Sequence, residues 1–202
     1  MSKTHDIEAI KRRVSTKPLA KGGANFETHV LTKTNAGYKF KPSTVYAIFC
    51  GIFAAVPYSA LIFALYHYKQ TGSLDFILNN SIAALVFLIF FCVGNYLLIM
   101  FFSPIEFSKP TNTFKKGFEC SVLRKTQVRV SLNAIIALQI IGEHVISDDN
   151  SYNSFELNLV LKDATRLNVV DHGKLSTIII DADTLSKYLN IPIWHSETKS
   201  EN

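Results

Sequence analysis

Two long windows without a charged residue constrain this chain more than any other feature. The first runs from Pro42 to Tyr68, between Lys41 and Lys69; the second runs from Phe76 to Ile105, between Asp75 and Glu106. A helix needs about 20 apolar residues to cross a hydrocarbon core of about 30 Å, and each window is long enough. Neither alternates with period two, which argues against buried strands. A soluble helix that is apolar all round needs a large core on every side, and a chain of 202 residues cannot supply one twice. A secretory signal fits poorly, because a polar lead precedes the first window and the window exceeds the 7–15 residues of an h-region. The expected elements are transmembrane helices over 43–67 and 80–102, forming a helical hairpin within 42–103.

Lysine and arginine give the expected orientation. Lys3, Lys11, Arg12, Arg13, Lys17, Lys21, Lys33, Lys39 and Lys41 precede the first window, Lys69 alone lies in the loop, and Lys109, Lys115, Lys116, Arg124, Lys125 and Arg129 follow the second. The positive-inside rule puts both termini in the cytoplasm. Cysteine usage agrees: Cys50 and Cys92 fall inside the windows, and Cys120 stands alone outside them, so no internal disulfide is expected there. The net charge of +5 reads as attraction to an anionic leaflet before it reads as nucleic-acid binding. The lipid bilayer is thus the first expected partner, with a protein partner or self-association beside it and no nucleic acid.

Within the first helix Gly51, Ala55 and Ser59 recur every four residues, a small-residue stripe that permits close helix packing. Pro57 lies between them and is expected to kink the helix. In the second helix Asn95 is costly against lipid, so it is expected to face the first helix; a substrate path is the alternative.

The remaining sequence reads as globular. Residues 1–25 are basic and weakly patterned, the expectation being a flexible tail; Ile7, Ile10 and Val14 at helical spacing offer a short amphipathic turn at the membrane surface as the alternative. Residues 26–41 read as a β-hairpin around Asn35-Ala36-Gly37. A β-rich domain over 104–195 follows, with strands from Ile105, Thr113, Val128 and Asn133, a turn at Asp148-Asp149-Asn150-Ser151, and an alternating strand over Phe155–Leu161 that turns back into Arg166–Val170. Leu175, Ile178, Ile179, Ala182, Leu185 and Leu189 follow 3.6 spacing and predict a helix over Lys174–Leu189, with Asp181 or Asp183 available to cap an inner start. Residues 196–202 form a polar tail.

Chemistry-bearing motifs are few. Six histidines are present without metal-ligand spacing, and no Cys-x-x-Cys exists, so neither metal nor cofactor is expected. Asp171-His172-Gly173 sits at a strand-to-helix junction, where an acid–base pair is one reading. The other is structural: Asp171 caps the helix and Gly173 frees the backbone at the turn. Lys109, Lys115, Lys116, Arg124, Lys125 and Arg129 either contact acidic headgroups or only enforce topology.

Strands from Ile105 to Val170 closed by the helix Lys174–Leu189, including Ala137-Leu138-Gln139-Ile140-Ile141 and Tyr152–Asp171, resemble the pleckstrin-homology-like (PH-like) domain of bacterial two-span membrane proteins. The resemblance covers about half the chain. It implies a membrane α + β fold, an antiparallel barrel or sheet closed by a C-terminal helix, in the bacterial inner membrane. It also implies a non-enzymatic role in which the cytosolic domain engages a protein or lipid headgroups. Two alternatives stand beside it: a small subunit of a transport or secretion assembly that docks through Gly51, Ala55 and Ser59, and a membrane enzyme that uses Asp171 and His172. The hairpin 26–41 is further expected to add the first strands to the same barrel.

Overall fold

The structure, a computed structural model, describes residues 2–19, 21–75, 79, 81–118, 127–147 and 150–196. It divides into two compact units: Thr44–Ser103, and Met1–Ser43 together with Pro104–Asn202.

Among the described residues the first unit holds two long helices, α2 (Thr44–Thr71) and α3 (Ser81–Phe102). Both are long and apolar enough to cross a bilayer, and only 17% and 6% of their apolar stretches are buried. A core helix of a soluble protein would be mostly covered. The 22 residues of α3 rise about 33 Å at 1.5 Å per residue, and α2 runs without a break through Pro57.

The expected packing stripe is not the face that meets α3. Gly51, Ala55 and Ser59 are exposed, and a Cβ on Gly51 would meet nothing within 4 Å. The buried face of α2 is Cys50, Ala54 and Pro57 instead. It meets Gly94 of α3, where an added Cβ would lie 2.9 Å from the Phe53 carbonyl oxygen. A glycine is needed at that crossing because two backbones approach there. Asn95 does face α2: its Oδ1 accepts from the Tyr58 hydroxyl at 2.9 Å, and its Nδ2 donates to the Phe91 carbonyl at 2.7 Å.

Among its described residues the second unit holds two sheets and two α-helices. Strands β1 (His29–Thr34), β2 (Gly37–Pro42), β3 (Ile105–Ser108), β4 (Thr113–Lys116) and β5 (Val128–Ser131) form an antiparallel meander in chain order. The hairpin 26–41 therefore belongs to this sheet: β2 pairs with β3 from Gly37↔Ser108 to Phe40↔Ile105. The β1–β2 turn needs glycine, since Gly37 has φ of 148° and its missing Cβ leaves room for the Phe107 carbonyl and the Tyr188 hydroxyl.

Ser131 caps a short 3-10 turn, Leu132–Ala134, which carries the chain into the second sheet. This sheet comprises β6 (Ile135–Ser147), β7 (Asn150–Leu161), β8 (Arg166–His172) and β9 (Ile193–Ser196), in the order β8-β7-β6-β9. The last strand joins parallel to β6 after helix α4 (Leu175–Leu189). The core lies between the inner faces of both sheets and α4: Phe40, Ile105, Phe107 and Phe114 from the first, Leu138, Ile140, Leu157 and Leu159 from the second, Ile178, Ala182 and Leu185 from the helix. Asp148 and Asp149 of the expected turn lie outside the described residues.

The basic leader is not a free tail. Ser2–Arg13 is a helix, α1. Val14 is buried with Ile136, Ala137, Val160 and Trp194, and Ile7 and Ile10 pack against that cluster. Spacing of three and four residues put these side chains on one helix face, and the outer side of the second sheet, not a membrane surface, receives them. Residues 15–19 and 21–26 then follow the same sheet toward β1. The Gln139 amide donates to the Ser15 carbonyl at 3.1 Å, the Gly22 amide donates to Glu143 at 3.1 Å, and the Gly173 amide donates to the Phe26 carbonyl at 3.1 Å.

Candidate functional site

Period-two geometry puts Phe114 and Lys116 on the same face of β4, and the register places Lys116 in one row with Phe40, Ile105 and Val128. Lys116 therefore points into the domain, not toward a headgroup. A lysine stays there only if its ammonium is paired. Its Nζ reaches the open edge of β8 and donates to the Asn168 carbonyl at 3.0 Å and the Asn168 Oδ1 at 2.8 Å. Asn168 passes the interaction on, its Nδ2 donating to Asp171 Oδ1 at 2.8 Å. Burial lowers the Lys116 pKa while the charges of Asp171 and Glu156 push it back up. Burial raises that of Asp171, and the Asn168 hydrogen bond opposes the rise.

Glu156 is 3% exposed and shares the outer face of the second sheet with Asn158. Both of its oxygens accept from the Leu19 amide at 3.0 Å, and Oε2 accepts from Asn158 Nδ2 at 2.9 Å. The leader segment thus supplies the main-chain donor that makes a buried carboxylate tolerable.

Two histidines complete the cluster. Thr28 donates its amide to His172 Nδ1 at 3.3 Å and its hydroxyl to the Asp171 carbonyl at 2.8 Å. Because that hydroxyl is a donor to Asp171, it accepts from His29 Nδ1 at 3.0 Å. The His172 ring proton accordingly sits on Nε2, 3.6 Å from Asp181 Oδ2. His29 is held to a pKa of about 4, first by desolvation and then by His172 and Lys116.

The expected Asp171-His172-Gly173 group is thus differently built. Asp171 ends in β8 and turns to Asn168; the cap position of α4 is Lys174, with no side-chain cap bond. The carboxylate within ion-pair distance of the His172 ring is Asp181, read from sequence as a helix cap and found 7% exposed inside the domain. His172 is fully buried, so it offers no face to a substrate. Gly173 is required by close approach, since the Asn25 carbonyl occupies the place a Cβ would take. Among the described residues no group of three or more His, Cys, Asp or Glu is placed to hold a metal ion.

The other basic residues separate. Lys109 leaves the sheet and lies over the Tyr188 ring, 4.4 Å from its centroid. Arg124 and Lys125 lie outside the described residues. Lys115 and Arg129 are cross-strand neighbours on the outer face of the five-stranded sheet. Register adds Glu106 and Lys39 to the same row, and Lys41 stands two residues along on that face. Lys39 pairs with Glu106 at 3.0 Å. Four cations therefore surround one carboxylate across strands β2 to β5, a span of roughly 14 Å at strand spacing. Lys39 and Lys41 were visible in sequence as the polar half of an alternating strand; only the β2–β3 register brings them to Lys115 and Arg129.

Comparison with protein-family models, with curated proteins and with solved structures finds no match.

Proposed function

We propose that this chain is a two-span membrane protein of the bacterial inner membrane, with both termini cytoplasmic, whose PH-like β unit binds acidic lipid headgroups through the outer face of its five-stranded sheet. One observation carries the reading: Lys39, Lys41, Lys115 and Arg129 share one sheet face with Glu106 as its carboxylate, Lys41 and Arg129 exposed and Lys39 and Lys115 partly so. Each such cation near an anionic surface contributes about 1 kcal/mol. The order of elements, antiparallel strands closed by a C-terminal helix over the core, supports the PH-like comparison. Two apolar helices, with basic residues on both flanks and Lys69 alone between them, support the topology.

The test uses the full-length protein in nanodiscs of neutral or anionic lipid. Amine-reactive labelling of Lys41 and Lys115 is expected to fall in the anionic discs, and the protection of Lys41 is expected to vanish in Lys115→Glu/Arg129→Glu. Equal labelling in both lipids contradicts the proposal.

A second reading rests on a different observation. Gly51, Ala55 and Ser59 remain uncovered on the outer side of α2, which favours docking of this helix on a larger membrane partner as an accessory subunit. Gly51→Leu would then release that partner while leaving the α2–α3 pair intact.

A further inference from the structure

A cavity of about 600 Å³ opens in the β unit between α1 and the start of the four-stranded sheet. Its walls are of two kinds. Ile7 and Ile10 of α1 and Ile136 of β6 are apolar; Arg13 from the last turn of α1 and Lys162 from the β7–β8 turn are cationic. Among the described residues neither Arg13 nor Lys162 is ion-paired. The acid next to Lys162 in sequence, Asp163, is occupied by the amide and hydroxyl of Thr165 at 3.0 and 2.6 Å.

The volume falls within the range of about 300–1,000 Å³ usual for small-ligand sites. A purely apolar occupant would leave two cations unanswered. A small inorganic anion would leave the apolar wall, the part of Ile7, Ile10 and Ile136 that lines the cavity, without an occupant. An occupant with one anionic head and one hydrocarbon chain answers both walls, the head between Arg13 and Lys162 and the chain along Ile7, Ile10 and Ile136. We propose that this cavity binds an anionic single-chain amphiphile, its head a carboxylate or a phosphate. The site shares no residue with the basic sheet face and does not depend on that reading.

The protein carries its own probe. Its one tryptophan, Trp194, is 7% exposed in the apolar cluster with Ile136, to which Ile7 and Ile10 also belong. Trp194 does not line the cavity but sits behind Ile136, and a bromine on the chain of a bound amphiphile quenches a tryptophan at short range. Full-length protein in nanodiscs is titrated with ω-bromododecanoate, with its methyl ester, and with a lysophosphatidate carrying the brominated chain. Saturable quenching by the charged probes and not by the ester is expected, and the tighter of the two charged probes tells fatty acid from lysophospholipid. Arg13→Glu/Lys162→Glu is expected to weaken it by about tenfold or more. Should that variant fail to fold, Ala9→Phe fills the cavity from an exposed position and keeps both charges, and it should abolish quenching at an unchanged melting temperature. Equal quenching by ester and acid, none by either charged probe, or full quenching in Ala9→Phe would overturn the proposal.

Discussion

The two sheets of the β unit carry the same alternation and put their polar residues to opposite uses. On the five-stranded sheet the polar face holds Lys39, Glu106, Lys115 and Arg129, and among the described residues these are partly or fully exposed. On the four-stranded sheet the polar positions Gln139, Glu156 and Asn158 are 3%, 3% and 0% exposed. The difference is the leader, whose Ser15 carbonyl and Leu19 amide meet Gln139 and Glu156. Alternation decides which side chains share a face; it does not decide whether that face meets water. A segment without periodicity of its own can settle that through its main chain.

The comparison breaks most sharply if the same substitution is made on both sheets. Glu156→Ala strips the Leu19 amide and the Asn158 side chain of their acceptor and takes a counter-charge from Lys116, and should cost about 3–4 kcal/mol in denaturant unfolding. Glu106→Ala on the exposed face should cost under about 1 kcal/mol. Similar losses would mean that the leader does not cover the second sheet.

Acid should next find the buried cluster where β1 of the five-stranded sheet meets β8 of the four-stranded one. His29 is depressed from the usual 6.5 to about 4, so above pH 6.5 neither state is protonated and the domain keeps its full stability. Between pH 6.5 and about 4 the unfolded chain takes up the proton first, and stability falls by about 3 kcal/mol. Asp171, whose carboxyl burial raises, acts in the opposite sense and blunts the fall. Melts at pH 7 and pH 5 should differ in the wild type and converge in His29→Gln; an unchanged difference would place the titrating group elsewhere. A smaller loss, about 2 kcal/mol, is expected for Val14→Ala, which uncouples the leader from Ile136, Val160 and Trp194. The smallest effect belongs to the exposed face: Lys115→Glu/Arg129→Glu should change the unfolding free energy by less than about 1 kcal/mol while abolishing lipid-dependent protection.

Much of this fold was legible. The apolar windows became α2 and α3, the hairpin 26–41 became β1 and β2, the alternating run Phe155–Leu161 lies in β7, and 3.6 spacing located α4 within a residue of its start. What escaped was partnership. Gly51, Ala55 and Ser59 define a face, but Cys50, Ala54 and Pro57 define another, and only Gly94 across the helix pair selects between them. Lys116 follows Lys115 in sequence and looks equally exposed; its inward direction follows from pairing opposite Ile105 and Val128. Asp171 read as a cap because the helix starts nearby, yet Asn168 three residues earlier claims its carboxylate. The strand character of Ile193–Ser196 was hidden because its parallel partner, β6, lies far back in the chain.

The leader's role as a cover is best tested by amide hydrogen exchange on the full-length protein in nanodiscs, resolved over residues 7–26. Protection of the Leu19 and Gly22 amides, lost at Leu19 in Glu156→Ala, is the expected result. Exchange of this segment at the rate of an unfolded peptide, with Glu156→Ala making no difference, would contradict it.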